Sequence, residues 1–189
     1  AGDVDGDGFA DLLVGAPFVD SSGGVAGVGE SYLIFGRPEG FTAGLTLATL
    51  TDDQGMQLVG EGLYDRSGYS VSAAGDVNGD GLAAIIVGAP GLGNHGGAYI
   101  VFGKTDSTAV QLSDIADGTN SQGFVITGGT EAGSAGIAVS AAGDVNGDGL
   151  GDFLLQDDGA DTDAPLFYLV YGTDDDFGAT FDISTAPTN

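Results

Sequence analysis

Oxygen-bearing side chains recur at alternate positions in three stretches of this chain. Asp3, Asp5 and Asp7 open it within AGDVDGDGF; Asp76, Asn78 and Asp80, then Asp144, Asn146 and Asp148, lie in identical copies of VSAAGDVNGDGL at Val71–Leu82 and Val139–Leu150. A hard divalent cation takes six to eight oxygens at about 2.3–2.6 Å, and a tight loop turns alternate side chains inward to supply them. Counting from the first Asp, positions 1, 3 and 5 offer side-chain oxygens. Gly8, Gly81 and Gly149 at position 6 take the sharp bend, and Phe9, Leu82 and Leu150 at position 7 offer backbone carbonyls. Position 9 separates the copies: Asp11 and Asp152 add a carboxylate, whereas Ala84 adds none. The pattern predicts up to three Ca²⁺ ions, the middle site being the weakest.

Asp, Asn and Gly are also the ordinary residues of solvated turns. Three copies in register argue for more, because each crowds like charges together. Two such charges about 4 Å apart repel by about 1 kcal/mol in water and about 4 kcal/mol at an effective dielectric near 20. A cation relieves that repulsion. An EF-hand begins with the same spacing but needs a Glu at position 12 between two helices; here position 12 is Val14, Val87 and Leu155. The short apolar runs Leu12–Val14, Ile85–Val87 and Phe153–Leu155 instead predict buried strands directly after the loops.

The loops are landmarks of a repeat. Asp144 follows Asp76 by 68 residues and Asp76 follows Asp3 by 73, the excess lying in the Gly/Ser-rich Phe18–Ser31 connection. Further strands are predicted at Ser31–Phe35, Ala98–Phe102 and Leu166–Tyr171, at Gly55–Gly60 and Gly123–Gly128, and at Gly68–Ala73 and Gly136–Ala141, which lead into the next loop. Gly15-Ala16-Pro17 and Gly88-Ala89-Pro90 end the first strand of their units, proline stopping the ladder. The matching Gln156-Asp157-Asp158 breaks that motif in the third unit.

The Phe35-Gly36, Phe102-Gly103 and Tyr171-Gly172 pairs, the Gly-Ala-Pro turns and the Asp-x-Asp/Asn-Gly-Asp-Gly loops together resemble the FG-GAP repeat of integrin α-chain β-propellers and of many bacterial surface proteins. The resemblance covers nearly the whole chain. It implies an all-β protein of four-stranded antiparallel propeller blades, with calcium in the loop between a blade's innermost and second strands. The repeats run over 1–72, 73–140 and 141–189, the last truncated; only the middle blade is complete, since the first lacks its innermost strand and the third its outermost.

Composition limits the function. Against 28 acidic residues stand 3 basic ones, a formal charge of −25, which excludes a reader of nucleic-acid phosphates and disfavours anionic membranes. There is no Cys, hence no disulfide or thiol chemistry, and no apolar span long enough for membrane insertion. The chain begins with Ala, as expected of a mature segment or fragment, and its acidity suits an extracellular or cell-surface setting.

The remaining candidates are read as structural. His95, the one histidine, falls in a Gly-rich turn with no second His, Cys or Lys accompanying it in the sequence; Lys104 and Arg37 are isolated along the chain, and Arg66 is expected to pair with Asp65 at the surface. Asp157, Asp158, Asp161 and Asp163, and Asp174–Asp176, form acidic clusters without glycine spacing, read as solvated loops. Phe9, Tyr32, Phe35, Tyr99, Phe102, Phe167 and Tyr171 recur in matching places, which predicts packing between blades. The function expected is a non-enzymatic calcium-binding propeller module, structural, adhesive or assembling, whose partner is a protein, a glycan, or further copies or blades. The alternatives are the propeller of an extracellular carbohydrate-active hydrolase or lyase, and a subunit that self-assembles into rings or fibres.

Overall fold

A computed structural model describes residues 1–21, 23–41, 44–129, 133–159 and 165–185. The strands follow in order as β1 (Leu12–Ala16), β2 (Glu30–Ile34), β3 (Gly55–Val59), β4 (Ser70–Gly75), β5 (Ala84–Ala89) and β6 (Gly97–Val101). After them come β7 (Val110–Gln111), a single helical turn α1 (Leu112–Ala116), β8 (Gly123–Thr127), β9 (Ala138–Gly143), β10 (Asp152–Asp157), β11 (Leu166–Val170) and β12 (Thr180–Asp182).

They form three sheets, in the orders β1-β2-β3-β7, β4-β5-β6-β8-β12 and β9-β10-β11. The second is a complete antiparallel meander of four strands, with β12 added at its edge. The protein is thus nearly all β, built of propeller-type blades, and among the described residues they do not close into a ring.

The connections after the Phe-Gly and Tyr-Gly corners depart from the sequence reading, which left them as plain linkers. After Phe102-Gly103 and Tyr171-Gly172 a short strand turns back to pair in parallel with the outermost strand of the preceding blade: β7 with β3, and β12 with β8. Apolar side chains hold these returns in place. Leu112 and Ile115 of α1 are fully buried, Ile183 nearly so, and Phe177 stacks on Phe124 of β8 at 4.1 Å between ring centroids. The outer edges of the first two blades, which would otherwise offer unpaired amides to other chains, are thus covered by the blade that follows.

Two cores fill the spaces between blades. Leu33, Met56 and Leu58 of the first blade meet Ile85, Val87, Tyr99 and Val101 of the second. On the other side of the second blade, Ile86, Ile100, Phe124 and Ile126 meet Phe153, Leu155 and Val170 of the third. Alternate residues of β5 and β6 therefore point to opposite cores, and both strands are buried along their whole length. This explains why they read as unbroken apolar runs. The aromatic expectation holds where two blades meet, with Tyr99 and Phe35 buried and Phe102 packed against the second core. It does not hold for Phe9, Phe167 or Tyr171, which are exposed, the last two on the uncovered face of the third blade.

Gly88 shows how close the blades come. A Cβ built there would lie 2.2 Å from the Gly136 carbonyl oxygen of the next blade, and at Gly15 2.0 Å from that of Gly68. The glycine of Gly-Ala-Pro is thus a packing requirement between blades as well as a turn residue. We expect Gly88→Ala to destabilise the chain by about 1–3 kcal/mol, the usual cost of forcing an extra carbon into a packed interface, measured as a lowered thermal unfolding midpoint.

Candidate metal centres

Each loop enters the second strand of its blade, the second and third loops leaving inner strands β4 and β9, and the pairing at the base of the loop recurs in all three. Gly2 bridges Asp11, Gly75 pairs with Ala84 and Gly143 with Asp152. These glycines have φ of +87°, +77° and +76°, a left-handed conformation that only glycine adopts cheaply. In the second and third blades the register slips by one residue beside them. The resulting bulge swings the chain away from the ladder and aims the next residue, the first Asp, into the loop.

That Asp organises everything after it. Asp3 accepts hydrogen bonds from the amides of Gly6 (2.8 Å) and Gly8 (3.0 Å). Asp76 does the same for Gly79 (2.8 Å) and Gly81 (2.9 Å), and Asp144 for Gly147 (2.7 Å) and Gly149 (2.9 Å). The carboxylate at position 5 receives the amide of position 7 at 2.8 Å in all three loops. Three segments far apart in the chain therefore share one shape, with the position 3 and 5 side chains drawn to the same side. Asn78 donates to Asp80 at 2.9 Å and Asn146 to Asp148 at 2.7 Å. In the first loop, where all three donors are carboxylates, one oxygen from each of Asp3, Asp5 and Asp7 lies within 4.8 Å of the others. Oxygens at about 2.3–2.6 Å from one central ion stand up to about 5 Å apart, so the set fits a cation of calcium's size.

Electrostatics point the same way. Burial pushes the Asp5 carboxyl above its ordinary value, and the charges of Asp11, Asp7 and Asp3 raise it further, against a lowering by the Asp7 amide. The ionised form is disfavoured there, as expected of a site that gathers negative charge. Among the described residues no basic side chain offsets these charges at Asp5. Lys104 is not isolated, as the sequence suggested, but buried, with its ammonium donating to Asp106 (3.0 Å) and to the Thr108 carbonyl and hydroxyl (both 2.7 Å). Together with the Thr108 hydroxyl it holds the Asp106 carboxyl down to about 2, the hydroxyl contributing more.

Position 9 does something the sequence did not reveal. The buried Asp11 carboxylate accepts the Val4 amide (2.8 Å) with one oxygen and the Gly36 amide (2.8 Å) with the other. Asp152 repeats this with Val145 (2.7 Å) and Gly172 (3.0 Å). Each carboxylate thus clamps the base of its loop to the Phe-Gly or Tyr-Gly corner of the same blade. A signal was present: the glycine of that corner recurs in every unit. In the middle blade the fully buried Ala84 brings no carboxylate to the corresponding Val77 and Gly103.

The other sequence candidates are placed differently. Asp65 is buried, its carboxyl raised by that burial and by the charge of Glu61 against a lowering by the Gly62 amide, and the expected pairing with Arg66 is not formed. Asp157, read as part of a solvated loop, is buried and accepts the amides of Ser134 (3.0 Å) and Gly159 (3.1 Å), while Asp158 accepts that of Ser134 (2.8 Å). Side-chain bonding to the preceding connection stands here in place of the missing Gly-Ala-Pro motif. Asp161 and Asp163 lie outside the described residues. Asp174–Asp176 are exposed, Asp176 accepting the Gly178 amide at 2.8 Å. His95 lines a cleft with Glu61, Leu92 and Thr127, beside the buried Tyr99 whose hydroxyl donates to Glu61 at 2.6 Å.

Comparison with known proteins agrees with this architecture. The family model described as FG-GAP repeat matches residues 1–34 and 67–112. Integrin alpha pat-2 of Caenorhabditis briggsae is 30% identical over 155 residues, 75% of this chain and 12% of that protein. Integrin alpha-IIb of Mus musculus is 38% identical over 120 residues, 61% of this chain and 11% of its own. A phosphatidylinositol-glycan-specific phospholipase D of Bos taurus is 34% identical over 108 residues, 54% of this chain and 12% of the enzyme. The chain therefore spans about an eighth of the length of the relatives it matches. Blades of this topology, loops of this shape and these matches lead to one assignment: the chain carries FG-GAP repeats of the integrin α type.

Proposed function

We propose that this chain is a calcium-stabilised β-propeller module of a secreted or cell-surface protein, serving adhesion or assembly rather than catalysis. The observation that carries the reading is the threefold recurrence of one loop shape, in which the first Asp ties two amides and leaves alternate oxygens converging. Asp3, Asp5, Asp7 and the Phe9 carbonyl would hold the first ion, and Asp144, Asn146, Asp148 and the Leu150 carbonyl the third. Asp76, Asn78, Asp80 and the Leu82 carbonyl would hold the second. Asp11 and Asp152 complete the outer two as ligands, or by the clamp their carboxylates make. The bound ion supplies charge neutralisation, and its binding free energy becomes folding free energy. No helix among the described residues is long and apolar enough to cross a membrane. The partner would be a protein, a glycan or further blades.

A second reading, a propeller attached to a hydrolase, draws on the phospholipase D relative. Against it, the acidic residues outside the loops that are described at Asp157, Asp158 and Asp176 are occupied with backbone amides in turns. In either setting the loops do the same physical work.

Two outcomes follow. Saturating Ca²⁺ should raise the thermal unfolding midpoint, by about 5–10 °C per site at a hundredfold excess over Kd, and EGTA should reverse the rise; a midpoint indifferent to both defeats the metal reading. Ala84→Asp should tighten the middle site about tenfold, because the new carboxylate meets two backbone amides already in place for it. Calorimetric titration against the unaltered chain checks the change, and a weaker middle site would contradict the clamp.

A further inference from the structure

The three loops touch one another in sequence. The Asp3 carbonyl accepts the amide of Ala83, position 8 of the second loop, at 3.0 Å, and the Val4 carbonyl accepts that of Lys104, just after Phe102-Gly103, at 2.9 Å. At the next interface the Asp76 carbonyl accepts the Gly151 amide, position 8 of the third loop, at 2.7 Å, and the Val77 carbonyl accepts that of Thr173, just after Tyr171-Gly172, at 2.9 Å. Side chains follow the same rule. A Cβ at Gly6 would lie 3.0 Å from Leu82, and one at Gly79 3.3 Å from Leu150. The position-7 side chain of each loop therefore lies over the position-4 glycine of the loop before it.

Resting on the calcium reading above, we propose that neighbouring metal sites are coupled, so that an ion in one loop tightens binding in the loops it touches, with Leu82 and Leu150 as the positioning residues. The physical reason is that position 7 serves two loops. Its carbonyl belongs to its own site, while its side chain covers the neighbour's backbone at the turn between positions 3 and 5. The first Asp is shared in the same way, its carboxylate shaping its own loop and its carbonyl anchoring position 8 of the next. Ordering one loop removes conformations from both, and the second ion then has less disorder to overcome. Among the described residues loops 1 and 3 share no such contact, so coupling runs only between neighbours. The middle loop, without a position-9 carboxylate, depends most on the ions beside it.

The test is a Ca²⁺ titration of the full ¹⁵N-labelled chain by NMR, in which the amides of Gly8, Gly81 and Gly149 report the three loops separately. Asp7→Ala, which disables the first site, should raise the Gly81 midpoint at least about fivefold, the lower end of typical coupling between sites, while leaving the Gly149 midpoint within about twofold. Asp148→Ala should raise the Gly81 midpoint similarly and spare Gly8. A Gly81 midpoint that does not move, a Gly81 amide silent to calcium while the others respond, or equal shifts at near and far loops would each overturn the coupling with the metal reading intact. Absence of any calcium response at all three glycines in the unaltered chain overturns the metal reading and the coupling together. Should the aspartate variants not fold, Leu82→Ala retains every oxygen donor and removes the contact with Gly6. It is expected to weaken the first loop, read at Gly8, more than the third, read at Gly149, and equal changes overturn the proposal.

Discussion

The first aspartate of each loop is the constraint on which the rest of the molecule depends. Its two carboxylate oxygens hold the amides of positions 4 and 6, which bends the loop, and in the first two loops its own carbonyl receives an amide from the next blade. One residue thus sets local shape and long-range placement together. A carboxylate accepting backbone amides makes a stronger bond than a neutral acceptor, and the glycines at positions 4 and 6, at φ between +75° and +93°, let the amides reach it. The same inward bend brings acidic oxygens together, so the geometry that joins the blades also concentrates negative charge.

From that point the structure spreads outward in a regular way. Loop carbonyls fix the inner ends of neighbouring blades, the two apolar cores fill the space between, and the returning strands β7 and β12 close the outer edges. Each blade is therefore held to its predecessor at three radii: hydrogen bonds at the loops, apolar packing in the middle and strand pairing at the rim. The third blade has one face that no other blade of the described residues covers. Val145 is 55% exposed where its counterparts Val4 and Val77 are 0% exposed, and Leu154, Phe167 and Leu169 are exposed beside it. Gln156 stands there in the place of Gly15 and Gly88, at the position where a following blade packed in the same manner would bring its backbone closest.

Much of this was legible in the residues. Three loops, their strand–loop–strand setting and the repeat of blades follow from oxygen donors at alternate positions, apolar runs and paired Gly motifs, all local patterns that a chain carries wherever it folds. Less legible were features whose causes lie far apart in sequence. Val110-Gln111 and Thr180–Asp182 have no strand signature of their own; they become strands because an open edge waits for them. Lys104, read as isolated, is buried because the Asp106–Thr108 turn folds back on it. Asp65 is buried, and its neighbour Arg66 sits at φ +55°, in the turn that carries the chain from one blade to the next.

The sequence by itself determined the chemistry of this protein: which side chains bear oxygen, how they are spaced, and that the unit recurs. Spacing along a chain is enough for that, because a six-residue turn brings its own donors together. Only the tertiary structure decided what position 9 clamps, which blade a returning strand covers, and that each loop rests on the one before it. Those contacts join residues tens of positions apart, and what brings them together is the packing of one sheet against the next.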